Sequence, residues 1–329
     1  MDRVRNMLGC NLPEVISYTG KGVYAAILDS GIVVHPDLKN QIVSFKDFTN
    51  NQRFVSYKNL NKGFCYDDNG HGTHVAGILS GNGKMSNGKY RGIAPDCRIV
   101  CGKVLDSKGG GSLKSLLNGL NWILELSNKL PIRIVNISIE MENDDKDEED
   151  NIRMNEELSD ISEQIDRLWN KDMVIIVAAG NKGPKPMSLS PISEFAECVC
   201  VGCHDGEYTS SGMQKLCSDY SGRGPSKGKY ILLRNSNPLK KPDIVAPGSN
   251  IISCNYKYMN KPYVAKSGTS MSAPIVSGAC ALYLQKNPYA TNFEIINAIK
   301  RTATDVGEKW SMQGAGMINI KKMLTFNQR

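Results

Sequence analysis

Six apolar, β-branched runs recur along the 329-residue chain with helix-like stretches between them, and this alternation restricts the fold more than any other feature. The runs are residues 23–28, 98–105, 133–139, 173–178, 198–202 and 243–246. They are short and nearly continuous in apolar character, as strands covered on both faces are. Helical candidates lie between them at residues 72–79, 112–127 and 152–170; in the last, Leu158, Ile161, Ile165 and Leu168 share one helical face. Strands alternating with helices imply an α/β fold, with a mostly parallel central sheet and helices on both faces. No internal repeat and no Pro- or Ser-rich linker breaks the pattern, so one domain is expected over residues 1–329.

Composition removes several functional classes. The formal net charge of +7 is spread along the chain without a basic motif or interleaved aromatics, which argues against nucleic-acid binding. No stretch approaches the roughly 20 apolar residues of a membrane span, so no membrane association is expected. The basic start, Met1 to Asn6, is not followed by the apolar core of a signal peptide. Several of the ten cysteines fall inside apolar runs, as in Cys198-Val199-Cys200-Val201. They read as free thiols acting as small hydrophobes, which points to the reducing cytoplasm if Met1 is the native start. One segment, Glu142 to Asp150, is nearly all acidic. It reads as a solvated surface insertion at about residues 141–151, and it lacks the glycine an EF-hand loop needs.

Four short strings carry chemistry. In Ala25-Ala26-Ile27-Leu28-Asp29-Ser30-Gly31 an apolar strand ends in a carboxylate and turns. Alone this is a turn aspartate; at a strand end it can also orient a histidine. In Asn69-Gly70-His71-Gly72-Thr73-His74-Val75-Ala76-Gly77, His71 opens a helix and could act as general base near neutral pH. His74 stands three residues on with no intervening Glu, so a zincin motif is absent and His74 reads as a packed helix residue. In Ser267-Gly268-Thr269-Ser270-Met271-Ser272-Ala273-Pro274, a serine opens an almost wholly apolar run that reads as a buried helix, with Pro274 tolerated only near its first turn. Such a serine is either a cap or a nucleophile beside oxyanion-stabilising amides. In Val177-Ala178-Ala179-Gly180-Asn181-Lys182-Gly183, Asn181 is either a turn residue or a side-chain donor for an oxyanion.

Together and in this order, the strings resemble the subtilisin-like serine proteases, in particular the signal-less intracellular type of bacterial member. The resemblance runs from about Gly20 to Ile320 and implies that family's three-layer fold. It implies a serine endopeptidase with Asp29, His71 and Ser270 as catalytic triad, and Asn181 with the Ser270 N–H as oxyanion hole. It implies a peptide or protein substrate, held as an added strand by Gly109, Gly110 and Gly111 on one side and Ile137, Ser138 and Ile139 on the other. Ala179 and Gly180 would also bind substrate, and Lys182 and Glu140 would stand on opposite rims of the pocket for the side chain before the scissile bond, either neutralising each other, the favoured outcome, or each acting alone. No cofactor is needed for the chemistry. A structural calcium is implied through Asp37, although the loop expected to complete that site is altered in Gly81-Asn82-Gly83-Lys84-Met85. Two further departures are Glu140, where many relatives have glycine, and the absence of an evident propeptide in the 28 residues before Asp29. The resemblance assigns no oligomeric state. The alternative is a catalytically silent peptide-binding or regulatory module, whose usual sign, a lost triad residue, is missing here.

Overall fold

The computed structural model describes residues 1–49, 54–55, 65–139, 148–205, 207–209, 212–214, 218–227 and 239–326. The strands of the main sheet are β1 (Tyr24–Asp29), β2 (Ile42–Asp47), β3 (Phe54–Val55), β4 (Arg98–Lys103), β5 (Ile132–Ile137), β6 (Val174–Ala178) and β7 (Cys198–Cys203). After a short antiparallel pair, β8 (Glu207–Thr209) with β9 (Gly212–Gln214), the chain adds β10 (Ile244–Ala246) to the sheet. A second pair, β11 (Ile251–Cys254) with β12 (Tyr263–Lys266), stands apart. The helices are α1 (Asp2–Met7), α2 (His71–Ser80), α3 (Leu113–Leu126), α4 (Glu148–Trp169), α5 (Thr269–Lys286), α6 (Asn292–Thr302), α7 (Trp310–Gln313) and α8 (Ile320–Thr325).

The main sheet runs β10-β7-β6-β5-β1-β4-β2-β3, and its first seven strands are parallel; only β3 is antiparallel to its neighbour. Strand residues alternate between two apolar layers. Ala25 and Ile27 of β1 pack into the layer that holds α2, α5 and α6, whereas Ala26 and Leu28 pack into the layer that holds α3 and α4. Successive residues of a strand face opposite ways, so both faces must be covered, and the result is a three-layer α/β fold.

The six expected strands and three expected helices are all present. Strand β2 is hard to read from the sequence because Ile42-Val43-Ser44-Phe45-Lys46-Asp47 mixes polar residues into a half-apolar run. Helix α6 carries a legible signal, the capping box of Thr291 and Glu294. Two expectations need correction. Helix α4 begins at Glu148, so Glu148, Glu149 and Asp150 belong to a helix rather than to a loop. Carboxylates are favoured in a first helical turn, where the macrodipole is positive. Residues 142–147 lie outside the described residues. Pro274 falls in the second turn of α5, so it cannot donate to the Ser270 carbonyl as a helical residue would.

Nine of the ten cysteines are described; all nine are buried, and no disulfide joins any two of them. Burial pushes the thiols of Cys97, Cys200, Cys203 and Cys280 up to about 12, so they are poor nucleophiles. Freshly purified protein, denatured without reductant and titrated with a thiol reagent, is expected to yield close to ten thiols. A count below eight would show a disulfide.

Candidate active site

The parallel strands deliver their loops to one edge of the sheet. Asp29 ends β1 in register with Lys103 of β4, Leu28 faces Ile137 of β5, and Ala178 ends β6. The crevice outside the carboxyl ends of such strands is where open α/β sheets bind ligands.

Asp29 is fully buried, and its Oδ1 accepts from the Ser30 N–H at 2.7 Å and from His71 Nδ1 at 2.8 Å. His71 reaches it because α2 starts directly over the turn after β1. A Cβ on Gly72 would stand 2.2 Å from the Gly31 carbonyl oxygen, so only glycine allows this approach. The His71 side chain retains 23% exposure, the amount a group needs to meet a substrate. Burial disfavours its charged form, but the charge of Asp29 and its hydrogen bond outweigh that, and the imidazole titrates above its ordinary value. His74, one turn on, is buried and bonds the carbonyls of Ile251 and Val264 through Nε2 at 2.9 and 3.0 Å. Burial first, then the charges of His71 and Lys266, lower it to about 3, so it stays neutral and structural.

The amides at the start of α2, which have no partner within the helix, are satisfied by a polar collar that sequence reasoning missed. Asn69 Oδ1 accepts from the His71 N–H, Ser30 Oγ from the Gly72 N–H, and Asp67 Oδ2 from the Thr73 N–H at 2.9 Å. Asp67, 4% exposed, also accepts from the Thr73 hydroxyl at 2.7 Å, the Ser30 hydroxyl at 2.9 Å, the Asn69 N–H at 3.1 Å and the Gly70 N–H at 2.7 Å. The signal was an aspartate just ahead of a helix start, a capping residue type. Beside it, the buried Lys103 donates to the Ser30 and Leu105 carbonyls and to Asp68 Oδ1 at 2.6–2.8 Å.

Ser270 opens α5 at 7% exposure, and α5 packs against α2. Asn181 follows β6 and is fixed by its Oδ1, which accepts from the Thr269 N–H at 3.0 Å. The place a Cβ would occupy on Gly268 is 3.5 Å from Asn181 Oδ1, 3.7 Å from Asn181 Nδ2 and 3.8 Å from Ser270 N, so the Asn181 amide and the Ser270 N–H border one spot. Gly268 has φ +149°, a backbone conformation that L side chains rarely adopt, so that spot carries no side chain of residue 268. Among the described residues, no hydrogen bond joins the Ser270 hydroxyl to His71; such bonds often tighten only around substrate.

A carboxylate bonded to a histidine, a serine at a buried helix start and a flanking amide are the parts of a serine hydrolase, and residues 20–317 match the Subtilase family. The chain belongs to the subtilase family. It is 35% identical over 92% of its length to the serine protease AprX of Bacillus subtilis (strain 168), and the match covers 66% of that protein. It is 30% identical over 92% of its length to subtilisin Savinase of Lederbergia lenta, of which 91% is covered. Among solved structures it is similar to Sphericase, with a TM-score of 0.73 and 25% identity over 92% of each chain. The chain thus spans slightly under two thirds of AprX and most of Savinase. As a subtilase it is a serine-type peptidase.

The implied subsites of this subtilase are placed as follows. Gly109, Gly110 and Gly111 form an exposed loop after β4, held in shape by Asp106, whose Oδ1 accepts from the Gly110 N–H at 2.9 Å. Ile137 is the last residue of β5. Its backbone is committed to β1 and β6 and its side chain is fully buried, because it lies inside the sheet rather than at an edge. Ser138 and Ile139 follow the strand end and are 2% and 5% exposed. Ala179 is buried with its N–H on the Val201 carbonyl and its carbonyl accepting from Ser190, while Gly180 donates to Thr269 Oγ1. Lys182 is exposed; Glu140, its expected rim partner, lies outside the described residues.

The calcium implied at Asp37 does not fit the donors present. Asp37 is fully buried, and each carboxylate oxygen already accepts a hydrogen bond: Oδ1 from the Met85 N–H at 2.9 Å, Oδ2 from the Tyr263 hydroxyl at 2.6 Å. Among the His, Cys and carboxylate groups of the described residues, those gathered with it are His35 and Cys254, with ligand atoms all within 4.8 Å of one another. Calcium takes six to eight oxygens, not an imidazole and a thiol. The altered loop is fastened instead by hydrogen bonds, including the Asn82 N–H to the Asp37 carbonyl at 3.0 Å. Tyr263→Phe is expected to destabilise the fold by about 1.5–3 kcal/mol, the worth of a hydrogen bond to a buried charge. Hydrogen exchange across residues 81–92 should be the same in calcium and in chelator. Exchange that speeds up there on chelation would restore a calcium site.

Proposed function

We propose that the chain is an endopeptidase that cleaves peptide bonds in peptide or protein substrates through an acyl-enzyme on Ser270. The reading is carried by the 2.8 Å bond between His71 Nδ1 and Asp29 Oδ1, held at the sheet edge where α5 begins. Asp29 fixes the tautomer that leaves Nε2 able to take a proton. Ser270 Oγ attacks the carbonyl carbon as its proton passes to His71, and the carbonyl oxygen gains charge between Asn181 Nδ2 and the Ser270 N–H. Collapse expels the amine, which takes the proton from His71; water then repeats the sequence to release the acid. Neither half requires a metal or an organic cofactor. The buried thiols favour a reducing compartment as its site of action.

Ser270→Ala is expected to fold normally and to lose turnover by about 10⁶-fold, the magnitude that loss of the nucleophile has in subtilisin. A fluorophosphonate probe should label wild type at Ser270 and leave the variant unlabelled. A folded wild type that neither labels nor cleaves would instead be a silent peptide-binding module. Asn181→Ala should lower kcat by about 10²–10³-fold with little change in KM, because its donor acts on the developing oxyanion, as measured for subtilisin itself. A rise in KM at constant kcat would make it a binding residue. His71 must be neutral to act and its value is raised, so kcat/KM should fall as pH drops through a point above 6.5. An acid limb centred below 6.5 would contradict that environment.

A further inference from the structure

Asp67 is a buried carboxylate that the proposed mechanism does not use, yet it touches both halves of the site. Its oxygens accept five hydrogen bonds, and their donors belong to three segments. One is the Ser30 hydroxyl, on the turn directly after Asp29. Two are the Asn69 and Gly70 N–H groups, on the approach to His71. Two are the Thr73 N–H and hydroxyl, inside the first turn of α2. The connection is closed by Ser30, which donates to Asp67 and accepts from the Gly72 N–H at 2.9 Å. The backbone adds a bridge between Gly31 and Asp67 and a 3.1 Å bond from the Ile32 N–H to the Tyr66 carbonyl. The turn that carries Asp29 and the helix start that carries His71 are thus joined through one side chain.

We propose that Asp67 is a positioning residue for proton transfer: it locks the strand end bearing Asp29 to the helix start bearing His71, so that the imidazole is held ready before substrate arrives. The proposal rests on His71 being the general base. Geometry gives the first consequence. A carboxylate with all its acceptor capacity engaged leaves the helix start no room to shift, and displacement of a catalytic group by about 1 Å can cost about 10²-fold in rate. Charge gives the second. The charged groups facing His71 are Asp29 from β1, Asp67 from the turn before α2 and Lys266 from the end of β12; His74, on the same helix, stays neutral. Lys103 of β4 and Asp68 form a pair on the far side of Ser30. Of these, Asp29 and Asp67 favour the charged imidazole and Lys266 opposes it.

Asp67→Asn keeps the size of the group and removes its charge and one acceptor. The test measures kcat and KM on a peptide anilide across pH, beside the thermal midpoint of each protein. The expected result is a kcat lower by about 10- to 100-fold with KM within about twofold. The acid limb of kcat/KM should move to lower pH by about half a unit, because a negative charge that favoured protonated His71 is gone. A fold that was merely weakened would lower the thermal midpoint and leave that limb in place, and an unmoved limb overturns the proposal. Where Asp67→Asn does not fold, Ser30→Ala serves: it cuts the link at its hydroxyl and keeps the charge. It should lower kcat about tenfold at constant KM, and an unchanged kcat overturns the proposal. Fluorophosphonate labelling of wild type separates the two levels. If wild type fails to label, the general-base reading itself falls. If wild type labels and cleaves while both variants match it, only the role of Asp67 falls.

Discussion

Helix α5 has no face to give to water, and the rest of the architecture follows from that. Every residue from Thr269 to Leu284 is buried. A helix that is apolar all round is stable only where neighbours close over it on every side. Here β5, β6 and β7 lie against it, α2 and α8 cover it, and β10 meets its start. Burial is worth about 0.8 kcal/mol per methylene but has no direction, so it cannot by itself set rotation about the axis. Polar groups do that. Ser272 Oγ donates to the Ala246 carbonyl at 2.9 Å, and Ser277 Oγ donates to Asn136 Oδ1 at 2.9 Å. Asn136 in turn donates to Ser138 Oγ at 2.8 Å. Each would be a costly orphan if the helix rolled, so the helix has one rotation. Ser270 takes its position from that rotation.

Parallel pairing explains why the remaining parts meet Ser270. Strands β1, β4, β5 and β6 point the same way, so everything that follows them emerges at one edge. The loops there are short of regular partners, and side chains replace them: Asp106 holds the glycine loop, Asn181 caps the Thr269 N–H, and Thr269 Oγ1 accepts from Gly180 at 3.2 Å. Rigidity at the site therefore comes from polar bonds between loops, and the sheet supplies only their common address.

What could be read from the sequence divides along the same line. The central strands, α3 and the buried face of α4 were legible because sustained apolar patterns report burial directly. Asp29, His71, Ser270 and Asn181 were legible as motif strings, at strand ends and helix starts. Asp67 was not, because a single aspartate before a helix has many reasons to be there, and only the folded chain shows Ser30, Gly70 and Thr73 converging on it. The extent of pairing at Ile137 was not legible for a related reason. An apolar run gives the strand but not the residue at which pairing stops, and here pairing with Leu28 and Val177 extends through Ile137. At Asp37 the local string suggested a calcium ligand. The replacement of that role depends on Tyr263, which lies 226 residues away in the chain.

Two buried carboxylates so close to His71, the proposed general base, pose an electrostatic problem, and Ser30 is where it is resolved. Its N–H donates to Asp29 Oδ1, its hydroxyl donates to Asp67 Oδ1, and its carbonyl accepts from Lys103 Nζ at 2.8 Å. Lys103 is 1% exposed, and a buried ammonium is tolerable only with partners; it has two carbonyls and Asp68. One residue thus touches two negative groups and one positive group within the turn. Asp29 and Asp67 alone would favour a permanently charged imidazole, which could not accept a proton from Ser270. Burial and Lys266 pull the other way, and the net rise at His71 is what remains. Asp37 also has an imidazole near it, with His35 Nδ1 4.0 Å from its Oδ1, but that side chain is fully buried and burial lowers it; the bonds of Asp37 to Met85 and Tyr263 hold a loop. The same chemical group is a fastener in one place and part of a tuned base in the other. The difference lies in whether a titrating partner with access to substrate stands within range of its charge.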